Sequence, residues 1–223
     1  MLTLYETNMN KSVRNKNLIS ISGCHGVGKS TILDSVKKNY DCILPPKTIP
    51  NPFSENAILS FIHYIIERNK QHQYLNKRRA ERIITDRYGF LDTSIYVQSL
   101  FECGFISKSE QNLFSRVVNN LADVWITPKL ICILCASPEE ILNRLKNREK
   151  LSKNHFNPFD INLIESINNN FYNTYHSKEL PPFLSKELKS KLNNVKFLLV
   201  ETTNITLNKT IELIFKEINN VWI

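Results

Sequence analysis

Apolar residues in this chain fall into two kinds of run, and the two kinds alternate. Short blocks rich in apolar residues recur at Leu18–Ser22, Asp41–Leu44, Arg82–Thr85, Leu130–Cys135 and Val195–Val200. Blocks of this length, bounded by polar or turn residues, read as buried strands. Between them the apolar residues space out to three and four, as in Ile32, Leu33 and Val36, or Ile58, Phe61, Ile62, Ile65 and Ile66. The same spacing recurs in Ile161, Ile164, Ile167, Phe171 and Tyr175, and in Leu207, Ile211, Ile214 and Ile218. Such stripes are the buried faces of amphipathic helices. Strands alternating with helices predict an α/β fold: a five-stranded parallel sheet with right-handed crossovers and helices on both faces. Leu130–Cys135, apolar at every position, is expected to be a central strand covered on both sides.

Local chemistry marks the ends of these elements. Lys29–Asn39 and Asp92–Leu100 read as helices, the second stopped by Gly104. Ser107-Lys108-Ser109-Glu110 and Ser137-Pro138-Glu139-Glu140 are S-x-x-E capping boxes, each opening a helix. Pro45–Pro52 holds four prolines in eight residues, a stiff loop that is neither helix nor central strand. Its only charge is Lys47. Residues 149–158 are polar without an apolar period and are expected to form a lid. Residues 1–17 are polar and lack the apolar core of a signal peptide, so a flexible extension is expected there. Residues 18–223 then make one domain, within which the periodicity leaves 178–194 unplaced.

No apolar run reaches the length of a membrane span, so no membrane role is expected. The five cysteines are odd in number and fall largely in expected strands, which suits reduced thiols and a cytoplasmic protein. Cys132 and Cys135 have C-x-x-C spacing, but on a strand they face opposite sides, so core packing is expected of them. The net charge is +8. No aromatic-basic nucleic-acid motif accompanies it, so nucleic acid is not an expected partner. A site for polyphosphate groups accounts for the excess charge instead.

Gly23-Cys24-His25-Gly26-Val27-Gly28-Lys29-Ser30 matches the phosphate-binding pattern G-x-x-x-x-G-K-[ST], with a strand before it and a helix after it. The glycines let successive backbone N–H groups converge on an anion, and the helix N-terminus adds its dipole. Gly23 through Thr31 are therefore the expected nucleotide-binding residues. Lys29 would reach the β- and γ-phosphates, and the Ser30 hydroxyl would ligate Mg²⁺. The expected cofactors are ATP and Mg²⁺.

Three further groups bear on the chemistry. Asp86 ends an apolar strand, where a Mg²⁺-associated carboxylate is expected, and Arg87 beside it could grip an acceptor anion. Arg144 and Arg148 share one helix face next to the expected lid, where cations stabilise charge on a moving phosphoryl group. Lys47 and Arg68 could clamp the acceptor. Lys29, Asp86, Arg87, Arg144 and Arg148 are thus the candidate catalytic residues. Lys47, Arg68, Arg87 and Tyr88 are the candidate acceptor contacts.

In order, Gly23–Thr31, then Asp86-Arg87-Tyr88, then the apolar strand followed by Pro138–Arg148, resemble the thymidylate kinase-like branch of P-loop nucleoside and nucleotide kinases. The resemblance implies a sheet of strand order 2-3-1-4-5. It implies an acceptor-phosphate contact from Arg68, another from Arg87, and lid arginines at Arg148 and Arg144. It also implies transfer to a nucleoside monophosphate. His25 stands where that family usually has a carboxylate, and Pro45-Pro46-Lys47 replaces an arginine-glutamate-proline-glycine stretch. The alternatives are a kinase acting on the hydroxyl of a nucleoside or another small molecule, and a nucleotide-binding protein that transfers nothing. Leu44–Ser54 contains no carboxylate to serve a hydroxyl acceptor. A GTP switch fits Asp86–Gly89 as D-x-x-G, but no N-K-x-D motif follows. A homodimer is left open.

Overall fold

The computed structural model describes residues 17–46, 57–77, 82–121, 125–151, 161–177 and 180–222. The chain runs β1 (Asn17–Gly23), α1 (Lys29–Asn39), α2 (Ala57–Asn76), β2 (Arg82–Asp86), α3 (Gly89–Glu102) and α4 (Lys108–Leu121). It continues through β3 (Leu130–Cys135), α5 (Pro138–Leu151), α6 (Ile161–Ser177), α7 (Lys186–Lys191), β4 (Lys196–Glu201) and α8 (Leu207–Trp222). The expected extension, most of the lid and Lys47 lie outside the described residues.

The sheet is parallel throughout and has the order β2-β1-β3-β4. This corrects the expected five strands in order 2-3-1-4-5. The segment Asp41–Leu44 does not form a strand but makes one parallel bridge, between Ile43 and Ile83. The Ile43 N–H donates to the Arg82 carbonyl and the Ile84 N–H donates to the Ile43 carbonyl, at 3.1 Å each. Pro45 and Pro46 then remove the donors that a continued ladder would need.

Every residue of β3 is buried, as the unbroken apolar run requires. One group of helices, α1 and α8, packs together and onto the sheet. The other centres on α6, which touches β1, β3 and β4 and packs on α3. Helix α3 in turn contacts α2 and α4.

The cap chemistry is borne out at α4, where Ser107 N–H donates to Glu110 and the Glu110 N–H donates to the Ser107 hydroxyl. At α5 half of the box forms. The Glu140 N–H donates to Ser137 Oγ, but the Glu140 carboxylate turns to Arg144. The unplaced 178–194 stretch contains the short helix α7, capped by Ser185.

Strand β1 lies between β2 and β3, so the chain turns back across the sheet at β1. In open parallel sheets the crevice outside the carboxyl ends at such a switch point is where ligands bind. The segment Gly23–Lys29 leaves β1 at that place, and Asp86 ends the neighbouring strand, paired in register with Ile21.

Candidate functional site

The phosphate loop is shaped by glycines that no other residue could replace cheaply. Gly23 has φ +131°, and a Cβ on it would run into the Leu134 carbonyl of β3. Gly28 caps α1 in the left-handed region, φ +99°. Cys24 and Val27 are buried in the core, so any contact they make with a phosphate comes from their backbone. Gly28, Ser30 and Thr31 form the exposed rim.

Lys29 is 7% exposed and donates to the Gly23 carbonyl at 3.1 Å and to the Cys24 carbonyl. Burial, then repulsion from Arg87, lowers its pKa to about 7, opposed by Asp86, Cys24 and Asp92. Its ammonium thus lies folded back on the loop, and an arriving phosphate would offer a stronger partner than two carbonyls.

Arg87 follows β2 with a left-handed backbone, φ 71°. Its N–H donates to the Ile21 carbonyl at 2.9 Å, which fixes the turn against β1. Its guanidinium donates to the Gly23 carbonyl at 3.2 Å and meets Asp92 at 3.4 Å. It also lies over the Tyr96 ring, 5.0 Å from the centroid. His25 meets that same ring edge-on at 5.6 Å. The structure therefore brings Lys29, Arg87 and the loop together.

Arg68 on α2 joins them at the end of β2. It donates to Gln71 at 2.9 Å and to the Asp86 carbonyl, and lies 3.9 Å from the Asp86 carboxylate. Its guanidinium stacks on Tyr64, 4.9 Å from the ring centroid. Gln71 donates to the Pro46 carbonyl at 2.6 Å, tying α2 to the proline loop that carries Lys47.

Two expected residues are placed otherwise. Tyr88 is fully buried against Phe90 and His72, so its side chain is core, and what it gives the site is a backbone N–H. Arg144 is bound by Glu140 at 2.7 Å and by Thr202 at 3.0 and 2.8 Å. It fastens α5 to the turn after β4. Arg148 lies on the same helix, with its side chain outside the described residues.

Sequence reasoning missed Asp92, Tyr64, Tyr96 and Gln71. Asp92 is fully buried in the first turn of α3, where every other residue is also buried. One carboxylate inside a wholly covered helical turn was a readable signal once the helix was known to begin at Gly89 rather than at Asp92. The other three look like ordinary helix residues in the sequence.

Among the described residues no cluster of three His, Cys, Asp or Glu could hold a metal ion alone. Mg²⁺ does not need one, since it takes most of its oxygens from phosphates and water. Ser30 on the exposed rim and Asp86 on the neighbouring strand fit that requirement. No helix among the described residues is long and apolar enough to cross a membrane.

Comparison with known proteins agrees with this geometry. The chain is 28% identical over 172 residues to the deoxyadenosine kinase of Dictyostelium discoideum, an alignment covering 71% of this chain and 64% of that protein. It is 26% identical over 147 residues to a putative kinase protein, 029R, of Invertebrate iridescent virus 3, covering 60% of this chain and 70% of that one. The deoxyadenosine kinase of M. mycoides, solved with bound dATP, superposes with a TM-score of 0.67 at 22% identity, covering 91% of this chain and 99% of the other. Its structure with dCMP and dCDP as products gives 0.68. The family model for deoxynucleoside kinases matches residues 19–221. That match replaces the thymidylate kinase-like assignment: the P-loop kinase fold stands, but in a different branch, and the chain belongs to the deoxynucleoside kinase family.

Proposed function

We propose that this protein transfers the γ-phosphoryl group of ATP to the hydroxyl of a deoxynucleoside. The observation that carries the proposal is the family match over residues 19–221, joined to the convergence of Lys29, Arg87 and Asp86 on the phosphate loop. The expected monophosphate acceptor gives way here to the hydroxyl alternative. Deoxyadenosine is the first acceptor to try, because it names the activity of both the Dictyostelium and the M. mycoides relatives.

In this reading the loop N–H groups and Lys29 hold the β- and γ-phosphates. Ser30 would hold Mg²⁺ together with the phosphate oxygens, with Asp86 on the acceptor side. The ion, when bound, offsets phosphate charge. The acceptor oxygen attacks the γ-phosphorus, and the bond to the β-phosphate oxygen breaks, leaving ADP. Arg87 would face the charge that spreads over the moving group, and Arg148, whose side chain lies outside the described residues, is assigned the same role from its place on α5. The acceptor proton needs a carboxylate. The objection that Leu44–Ser54 lacks one is met by Asp86, whose side chain at the carboxyl end of β2 is 40% exposed.

The test is an acceptor screen with MgATP, following ADP release for deoxynucleosides, ribonucleosides and monophosphates. A deoxynucleoside is expected to give the highest kcat/KM. A monophosphate outperforming every nucleoside would restore the nucleotide-kinase reading. ATP hydrolysis indifferent to every acceptor would leave a nucleotide-binding protein that transfers nothing.

A further inference from the structure

We propose that Asp92 is the positioning residue of this site: its carboxylate locks the Arg87 guanidinium to the end of β1, so that the phosphate loop and its facing cation hold one geometry. The proposal rests on the kinase reading above and assigns a role that the reading leaves open.

The contacts carry it. Asp92 Oδ2 accepts from the Ser22 hydroxyl at 2.6 Å and from the Tyr88 N–H at 3.0 Å. Asp92 Oδ1 faces Arg87 Nη1 at 3.4 Å. The same Nη1 donates to the carbonyl of Gly23, the first residue of the phosphate loop. One carboxylate thus joins the end of β1, the turn after β2 and the first turn of α3. Arg87 holds a left-handed backbone that most side chains avoid. Such strain persists where the surrounding structure requires the side chain to be there.

A buried carboxylate is a poor way to gain stability, because desolvation offsets most of its attraction. Fixing a direction is what it does well. Arg87 left without Asp92 would keep its charge but lose its aim, and misplacing a reacting group by about 1 Å can cost about 10²-fold in rate.

The charge on Asp92 depends on its neighbours. Burial raises its pKa, while Arg87, the Ser22 hydroxyl, Lys29 and Arg68 lower it. The groups facing it are Ser22 from β1, Lys29 from α1, Tyr64 and Arg68 from α2, Arg87 and Tyr88 from the turn after β2, and Tyr96 from α3. As pH falls through the folded pKa of Asp92 the carboxylate protonates and Arg87 loses its anion. Removing the Ser22 donor raises that pKa further, so the acid limb of kcat moves to higher pH.

Three variants and four readouts test this. Asp92→Asn is expected to lower kcat about 10²-fold with little change in MgATP affinity measured by calorimetry. Ser22→Ala is expected to match the wild-type kcat at high pH but to lose activity at a higher pH on the acid side, and Ser22→Thr to restore the wild-type limb. A purely structural role would lower the melting temperature without moving the limb. The Arg87 side-chain NMR signals are expected to be sharp and slowly rotating in the wild type and broadened in Asp92→Asn. Absence of turnover in the wild type would overturn the kinase reading. Arg87 signals unchanged by Asp92→Asn, or an acid limb unmoved in Ser22→Ala, would overturn the role of Asp92.

Discussion

His72 should make this protein lose stability in mild acid, before most carboxylates begin to titrate. It sits on α2, 2% exposed, with its ring stacked on Trp125 at 5.6 Å and tilted against Tyr88 at 6.3 Å. Its Nδ1 has no hydrogen-bond partner among the described residues. Burial, and then repulsion from Arg68, lowers its pKa to about 3. In the unfolded chain it titrates near the ordinary value of about 6.5. Between these values the unfolded chain binds a proton that the folded one refuses. Stability therefore falls as pH falls through the window and is flat above it. The slope approaches about 1.4 kcal/mol per pH unit below pH 6, which amounts to about 2 kcal/mol between pH 6.5 and 4.5. Against a total of about 5–15 kcal/mol this is a large share. Glu217 and Glu110, whose pKa values are lowered, begin to act only below about pH 4.5. Asp92, whose pKa is raised, acts in the opposite direction, gaining stability as pH falls. His72→Phe keeps a ring against Trp125 and removes the titration. Urea unfolding of both proteins from about pH 7.5 to 4.5 isolates the term as a difference in slope. Equal slopes in the two proteins would refute the reasoning, whatever their absolute stabilities.

Other substitutions separate the site from its scaffold. Lys29→Ala should abolish transfer while leaving the melting temperature unchanged or raised, because the free enzyme holds that ammonium at the cost of burying it; turnover and calorimetry on one preparation decide it. Arg148→Ala should lower kcat by about 10³-fold or more with a smaller effect on the KM for ATP. Arg144→Ala should instead cost about 1–3 kcal/mol of stability by leaving Thr202 and Glu140 without their donor, and denaturant titration against steady-state kinetics distinguishes the two arginines. Gly23→Ala should destabilise by about 3 kcal/mol or more, because its Cβ meets the Leu134 carbonyl of the adjacent strand; failure to fold is the same result in stronger form, and a wild-type unfolding curve would refute it.

The P-loop and four of the five strands were legible because their signals are local. A glycine pattern or an unbroken apolar block needs only its own neighbours to be read. Asp41–Leu44 failed for a reason that was also in the sequence: the prolines at 45 and 46 limit pairing to a single bridge at Ile43. Arg144 and Arg148 were read as a pair because spacing places both on one helix face. Spacing says nothing of Thr202, fifty-eight residues away, which holds Arg144. Asp92 was missed for a similar reason: its meaning lies in Ser22, seventy residues earlier in the chain. The branch of the kinase family was misread because an Asp-Arg-Tyr triplet and two arginines on one helix face suit phosphate chemistry in general and say little about the acceptor.

The strained turn at Arg87 ties the fates of two positions. Its left-handed backbone would be relieved by glycine, so selection for stability alone would remove the arginine. Doing so alone would strand the Asp92 charge in the core, which is costlier than the strain it relieves. The arginine and the aspartate can therefore be lost cheaply only together. A descendant of this chain with glycine at 87 and a neutral residue at 92 would have exchanged the guanidinium proposed to face the phosphoryl group for a more relaxed scaffold, and under that proposal the double change would date the loss of chemistry even where the phosphate loop survived intact.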